Sequence, residues 1–193
     1  MNNTKSRLPG WKSLSLETAF HTPVFDLLVE RSECVRTGAS TNFYYFKCPD
    51  WVNVIAMTPD NKIVMIRQYR HGKGTIELEI PGGGMNPSEN HDPVSAGARE
   101  LLEETGFAVE KGVIIGKVCP NPALQGNTCY TVFFQNARQV SKPDMEATEE
   151  IETALFPVEE LDDFIKKVKI MHGLVLNALH FFDIWKKDAT KTS

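Results

Sequence analysis

Short segments of alternating apolar and polar residues dominate the first part of the chain and predict β-strands. From about Ser13 to Cys48, PVFDLLVE and TNFYYFK have this pattern, and the turn-like TGAS separates them. So small a β block cannot bury its own faces, so it must pack on the rest of the chain or on a second copy. Residues 1–12 are expected to fray.

Two longer apolar runs follow and predict a β-hairpin. WVNVIAM and KIVMIRQYR flank the turn-forming PDNK. IELEI predicts a short strand, and the glycine-rich PGGG after it is expected to break the pattern. Later strands are predicted at GVIIGKV, CYTVFFQ and ETALF.

Helices are predicted at three places. Asp92 followed by Pro93 is a strong helix start, and Gly106 is a stop, so this helix should end near Thr105. Two more helices are expected at VEELDDFIKKV and MHGLVLNALHFFDIW. The last carries an apolar stripe that predicts core or interface: Met171, Leu174, Val175, Ala178, Phe182 and Trp185. Strands mixed with helices predict an α/β sandwich with a mixed sheet.

The composition is that of an ordinary globular protein. The 193 residues are 41% hydrophobic and 24% charged, which suits one compact domain or a domain with a small appendage. The net charge of −4 gives no basic excess, so neither nucleic acid nor an anionic membrane is expected as a partner. We see no apolar leader and no apolar run long enough to span a bilayer, and the four cysteines form no CxxC pair. A cytoplasmic location with reduced thiols is therefore expected.

One face of the predicted helix after Asp92 gathers three carboxylates. Glu100, Glu103 and Glu104 fall within an arc of about 100°. The opposite, buried side is expected to hold Val94, Ala98, Leu101 and Leu102. Adjacent like charges repel, and a hard divalent cation with oxygen ligands, Mg²⁺ or Mn²⁺, would relieve that repulsion.

Neighbouring residues favour the metal-site interpretation. Arg99 lies beside the cluster and can orient a carboxylate, and the segment Pro81–Gly84 lets backbone approach a ligand. The alternative is a solvated acidic helix face, which the three glutamates alone would favour.

The segment from Gly83 to Phe107 resembles the Nudix box, G-x5-E-x7-R-E-U-x-E-E-x-G-U, where U is a bulky apolar residue. Gly83 and Glu89 match its first part, and residues 99–107 match its whole second half, although nine residues rather than seven separate Glu89 from Arg99. The resemblance implies a Nudix α/β/α sandwich. It also implies that Glu100, Glu103, Glu104 and the Gly82 carbonyl are metal ligands and that Arg99 is a catalytic residue holding them.

Further motifs are similar to the ADP-ribose and nucleoside-diphosphate-sugar pyrophosphatase branch of that family. They are Arg67-Gln68-Tyr69-Arg70, Glu79-Ile80-Pro81-Gly82-Gly83 and a proline, Pro122, about fifteen residues after the box. The resemblance implies substrate-binding roles for Arg70, Arg67, Glu79 and Pro122. A diphosphate suits the guanidinium fork of Arg70, which ends a predicted strand, whereas Arg67 is the weaker candidate and a surface salt bridge is the alternative for both. The resemblance also implies a β-rich N-terminal extension, residues 1–48, for homodimerisation, and a hydrolase domain, residues 49–193.

The general base and the base-stacking residue are left open by the sequence. In this branch a glutamate after the box often activates water, and the matching region favours Glu150 first and Glu149 second, with Glu152 more exposed. Trp51, Phe25 and Tyr45 are candidates for stacking on a nucleobase.

The function implied by the resemblance is Mg²⁺-dependent hydrolysis of the diphosphate in ADP-ribose or a related nucleotide sugar. The products are a nucleoside monophosphate and a sugar phosphate. The alternatives are a non-catalytic Nudix-fold sensor of nucleotide sugars, and a decapping or housecleaning pyrophosphatase.

Overall fold

The computed structural model describes residues 10–86, 92–145, 150–167 and 170–191. The chain divides into two compact units. The first is Met1–Pro49 with Asn121–Asn127, and the second is Asp50–Pro120 with Thr128–Ser193.

The first unit contains a three-stranded antiparallel sheet. Its strands are β1 (Trp11–His21), β2 (Asp26–Cys34) and β3 (Ser40–Lys47), in the order β1-β2-β3. The sequence predicted β2 and β3 but not β1, and the expectation that Trp11 and Lys12 fray is wrong. Every residue of β1 is exposed, so backbone pairing with β2, rather than burial of a side-chain face, holds it in place.

Within its described residues, the second unit is built on two larger sheets, a small strand pair and three α-helices. A mixed sheet has the order β7-β4-β10-β9, from β4 (Trp51–Ala56), β7 (Gly82–Gly84), β9 (Gly112–Val118) and β10 (Cys129–Phe134). An antiparallel sheet has the order β12-β5-β6, from β5 (Lys62–Arg70), β6 (Thr75–Glu79) and β12 (Ile151–Pro157). The strands β8 (Phe107–Ala108) and β11 (Arg138–Gln139) form a small pair. The helices are α1 (Pro93–Thr105), α2 (Leu161–Lys166) and α3 (Gly173–Lys191). The predicted mixed α/β architecture is confirmed.

The predicted hairpin between β4 and β5 is wrong. The turn is present, but the two strands share a single antiparallel bridge, Met57 to Ile63, and then enter different sheets. β4 pairs in parallel with β10 and antiparallel with β7, while β5 lies between β12 and β6. Their apolar runs are buried because both faces of each strand are covered, which a two-stranded hairpin cannot provide.

The glycine-rich segment is a strand and not a break. β7 pairs with β4 in the register Asn53 to Gly82, and the Val54 amide donates to the Pro81 carbonyl at 2.8 Å. A side chain at Gly82 would collide with the Val52 carbonyl oxygen, so glycine is what allows this strand to approach.

Two hydrophobic clusters cover the sheets. One joins the sheets to α2 and α3 and contains Ile55, Met65, Phe133, Leu161, Val175, Ala178 and Phe182, with Trp185 packed against it. The other lies under α1 and contains Val52, Val54, Val64, Leu101, Phe107, Val132 and Phe134. The predicted stripe on α3 is confirmed at its centre, but Met171 precedes the helix and is exposed.

The start and end of α1 are as predicted. The Asp92 carboxylate accepts from the amides of Val94 and Ser95, and Gly106 ends the helix at φ 74° with its N–H donating to Leu102. The predicted burial of Leu102 is wrong, since that side chain is 39% exposed.

The buried face of α1 is centred one position away from the predicted one. It contains Ala96, Gly97, Leu101 and Glu104, while Val94 and Ala98 are half-buried beside it. Gly97 lies close to the Val54 and Val52 side chains, so the helix approaches the sheet along the line of residues 97, 101 and 104. One of the three carboxylates therefore faces the interior.

Among the residues that the structure describes, no helix combines the length and the apolar character that crossing a bilayer requires.

Candidate active site

The strand β7 lies directly against the acidic face of α1. The Gly82 N–H donates to Glu104 Oε2 at 3.1 Å. A Cβ placed on Gly83 would be 2.5 Å from Glu100 Oε1, so a larger residue here would displace that carboxylate from its present position. Two carboxylates of the helix are thus set beside the backbone of a strand without side chains.

Arg99 ties this arrangement together. Its Nη1 donates to Glu103 Oε2 at 2.7 Å, and its Nη2 donates to Glu100 Oε1 at 2.9 Å and to the Gly84 carbonyl at 3.2 Å. One guanidinium therefore bridges two carboxylates and the glycine strand. Its positive charge offsets part of the repulsion between the two carboxylates. The structure brings together Arg99 and the three glutamates that the sequence selected.

The residue types of this face fit a hard divalent cation. Carboxylate oxygens and a nearby backbone carbonyl are the ligands that Mg²⁺ prefers. Within the described ranges, however, no three acidic, histidine or cysteine side chains converge as a preassembled metal cage. Glu100 and Glu103 turn toward Arg99, and Glu104 turns toward Gly82, so hydrogen bonds hold the three carboxylates along one face without gathering them around one point.

A cavity of about 630 Å³ opens beside the glycine strand. Its walls come from β4, from β5 and β6 with the turn between them, from β7, and from the segment that leads into α3. The lining residues are Trp51, Val52, Asn53, Arg70, His71, Gly72, Lys73, Glu77, Glu79, Ile80, Gly82, Gly83, Gly84, Met171, His172, Gly173 and Leu174. This volume is in the range of sites that enclose small-molecule ligands.

A buried carboxylate organises the polar side of the cavity. Glu79 is 2% exposed. Arg70 donates two hydrogen bonds to its carboxylate, from Nε to Oε1 at 2.8 Å and from Nη2 to Oε2 at 2.7 Å. His172 Nδ1 lies 2.9 Å from the same Oε2. Burial by itself would raise the pKa of Glu79, but the hydrogen bonds and charge of Arg70 and His172 outweigh it and lower this pKa to about 2. Glu79 is therefore ionised in the working pH range.

The other predicted substrate residues lie elsewhere. Arg67 pairs with Glu152 at 3.1 Å on the exposed surface of neighbouring strands. Arg70 lines the cavity, but Arg67 does not. Pro122 is exposed on a turn that belongs to the first unit.

Of the two predicted general bases, the structure describes Glu150. Glu150 is exposed, immediately precedes β12, and is not among the lining residues. Glu149 and Glu89 lie outside the described residues. Of the three aromatic candidates, Trp51 lines the cavity, Phe25 packs on Phe46 with ring centroids 4.7 Å apart, and Tyr45 donates to Glu30.

Several polar residues of the cavity were missed by the sequence, among them His172, Asn53 and Lys73. His172 contacts Glu79, Asn53 Nδ2 donates to the Leu174 carbonyl at 3.2 Å, and Lys73 Nζ donates to Glu77 at 2.6 Å. No local spacing connects residue 172 with residue 79, so periodicity could not find this pair. The HGKG turn was a signal for Lys73, since it directly follows the arginine strand.

Comparison with known proteins gives a consistent result. A NUDIX domain profile matches residues 49–176. The chain is 30% identical to the ADP-ribose pyrophosphatase of Bacillus subtilis (strain 168) over 158 residues, or 82% of this chain and 83% of that protein. It is 25% identical over 174 residues to the methanol dehydrogenase activator of Bacillus methanolicus, or 90% and 92% of the two chains. A crystal structure of ADP compounds hydrolase shares the fold, with a TM-score of 0.83 over 96% and 98% of the chains at 20% identity.

Replacing Glu79 by Gln is expected to lower the free energy of unfolding by about 2 kcal/mol near neutral pH, because the buried partner of Arg70 loses its charge. The pKa of Glu79 is depressed from 4.5 to about 2, so its contribution is complete above the unfolded value and is lost as the pH falls through the folded one. Urea unfolding of both proteins should show a difference that shrinks in acid.

The exposed Glu110→Gln is the matched control and should behave like the wild type. A difference between wild type and Glu79→Gln that stays constant from about pH 7 to about pH 3 would contradict this linkage.

Proposed function

The chain belongs to the Nudix family and is a Nudix hydrolase, and from this premise we propose that it hydrolyses the diphosphate bridge of ADP-ribose or a related nucleoside diphosphate sugar with Mg²⁺. The observation that carries the proposal is the contact of β7 with the carboxylates of α1, beside a cavity that contains Arg70. The name of the Bacillus subtilis relative supports ADP-ribose as the first substrate to test.

Glu100, Glu103, Glu104 and the Gly82 carbonyl are the proposed holders of the cation, and Arg99 orients Glu100 and Glu103. The cation, for which Mn²⁺ is a proposed substitute, neutralises charge on the diphosphate oxygens and lowers the pKa of water when it is bound. Gly82 and Gly83 keep this face accessible, since they place no side chain between the carboxylates and the cavity.

Arg70 is the proposed diphosphate ligand. Glu79 engages its Nε and Nη2, which fixes the plane of the guanidinium and leaves its other N–H donors to an anion in the cavity. Lys73 also lines the cavity, with its side chain 43% exposed, and adds a second positive charge.

The proposed chemistry is attack of a water oxygen on one phosphorus, with cleavage of the bond from that phosphorus to the bridging oxygen. Glu150 or Glu149 is proposed to accept the proton of the water. AMP and ribose phosphate are the products from ADP-ribose.

Two alternatives differ in class. A sensor would bind the nucleotide sugar without cleaving it, and a decapping or housecleaning enzyme would act on RNA caps or nucleoside triphosphates. The net charge of −4 disfavours a long nucleic acid substrate. A sensor that only binds a nucleotide sugar does not need the four oxygen donors that are proposed to hold the cation.

We also propose that the protein is a homodimer joined through its first unit. β1 is an edge strand that exposes Trp11, Leu14, Leu16 and Phe20. An exposed apolar edge strand is a template for pairing with another chain. A cytoplasmic location belongs to the same proposal and is supported by the four cysteines, all described, which form no disulfide with one another.

Sedimentation equilibrium tests the dimer. The wild type should have twice the monomer mass of 21.7 kDa, and the variant Leu16→Glu/Phe20→Glu should sediment as a monomer because charges cannot be buried in the interface. Val140→Glu changes an equally exposed apolar residue of the other unit and should stay dimeric. A monomeric wild type, or a double variant that remains a dimer, would contradict the proposal.

Glu104→Gln tests the catalytic proposal. Turnover of ADP-ribose with Mg²⁺ should fall by more than about 100-fold, since a lost metal ligand removes several kcal/mol of transition-state stabilisation. AMP release is measured across ADP-ribose, ADP-glucose and GDP-mannose, with Glu110→Gln as the control. Circular dichroism should show an unchanged fold.

Binding of ADP-ribose without AMP release by the wild type would favour the sensor. Near-normal turnover by Glu104→Gln would remove that residue from the metal site.

A further inference from the structure

His172 connects the start of α3 to the arginine of the cavity. It immediately precedes α3, and its carbonyl accepts from the Leu176 amide at 3.1 Å. Its ring lies at the cavity wall, and its Nδ1 is 2.9 Å from Glu79 Oε2, the oxygen that Arg70 Nη2 also contacts. The His172 side chain therefore reaches across from the segment before α3 to Glu79, the carboxylate that holds Arg70 on the opposite wall of the cavity.

The protonation of this contact follows from the charge of Glu79. The low pKa of Glu79 means that its carboxylate is ionised and can only accept hydrogen bonds. Nδ1 of His172 must therefore bear a proton, which it donates to this carboxylate. With the carboxylate only 2% exposed, a lost donor cannot easily be replaced by solvent.

A second hydrogen bond fixes the same segment. Asn53 on β4 donates to the Leu174 carbonyl, two residues after His172, and Asn53 pairs in register with Gly82 of the glycine strand. The backbone around His172 is thereby held to the strand that adjoins the acidic helix. Because its backbone is held in place, the His172 side chain can fix the orientation of the Glu79 carboxylate.

We propose that His172 is a positioning residue for substrate recognition, which holds the Glu79 carboxylate in the plane that aims Arg70 at the diphosphate. The inference rests on the proposed function, because it assigns Arg70 the diphosphate as its ligand. His172 acts through Glu79 and Arg70 and makes no contact of its own with the reacting atoms.

The first test compares His172→Leu with His172→Asn. Leu removes the donor, so KM for ADP-ribose should rise by roughly tenfold, the usual effect of a lost hydrogen bond to a charged group, while kcat changes little. Asn keeps an N–H near the position of Nδ1 and should restore KM to within about threefold of wild type. His180→Leu, an exposed histidine of α3 outside the cavity, should match the wild type.

The second test is a double-mutant cycle with Arg70→Ala. If His172 acts through Arg70, adding His172→Leu to Arg70→Ala should change KM by less than about twofold. Full multiplication of the two effects would mean that His172 contacts the substrate directly and would overturn the inference. So would an unchanged KM in His172→Leu, or failure of Asn to rescue.

The dissociation constant of ADP-ribose, measured by calorimetry in EDTA, separates this inference from the proposed function. A wild type that binds but does not hydrolyse contradicts the proposed activity, and the cycle is then read from dissociation constants. A wild type that neither binds nor hydrolyses any nucleotide sugar overturns both. An equal loss of unfolding free energy in His172→Leu and His172→Asn, with unchanged affinity, would show a purely structural role.

Discussion

The approach of a strand without side chains to a carboxylate-bearing helix is the contact on which the site depends. β7 can pair with β4 because Gly82 has no side chain, which would otherwise strike the Val52 carbonyl. The Glu100 carboxylate fits in its place because Gly83 has no side chain either. The Gly82 amide then meets Glu104. The capped ends of α1 fix the register of the helix, so that Glu104 faces inward while Glu103 stays half-exposed for Arg99.

The acidic face and the cavity are joined through a few residues of chain. β6 ends at Glu79, the Pro81 carbonyl is fixed by the Val54 amide, and β7 begins at Gly82. The carboxylate that orients Arg70 is therefore three residues from the strand that contacts the metal-type glutamates. This continuity places a group that suits phosphate oxygens next to groups that suit a hard cation, which is the pairing that the proposed diphosphate hydrolysis needs.

The sequence was informative where the signal is local. The Asp92 cap, the Gly106 stop and the run from Arg99 to Glu104 predicted α1 and its acidic face, because caps and helical spacing act over a few residues. It failed where distant segments decide the outcome. The sequences of β4 and β5 predict a hairpin, yet β4 pairs with β10 and β5 pairs with β12. Gly82–Gly84 forms a strand because it pairs with β4. The contact of His172 with Glu79 spans 93 positions and leaves no periodic trace.

Calorimetric titration of Mn²⁺ into wild-type and Gly83→Ala protein, without substrate, tests the central contact most directly. The three heavy atoms nearest to the added methyl group all belong to the flexible end of Glu100, so the fold should persist while that carboxylate is displaced. Metal affinity should fall by roughly tenfold or more, whereas Gly126→Ala, which meets nothing within 4 Å, should bind like the wild type. Equal Mn²⁺ affinity in Gly83→Ala and wild type, or no binding by the wild type, would contradict the account.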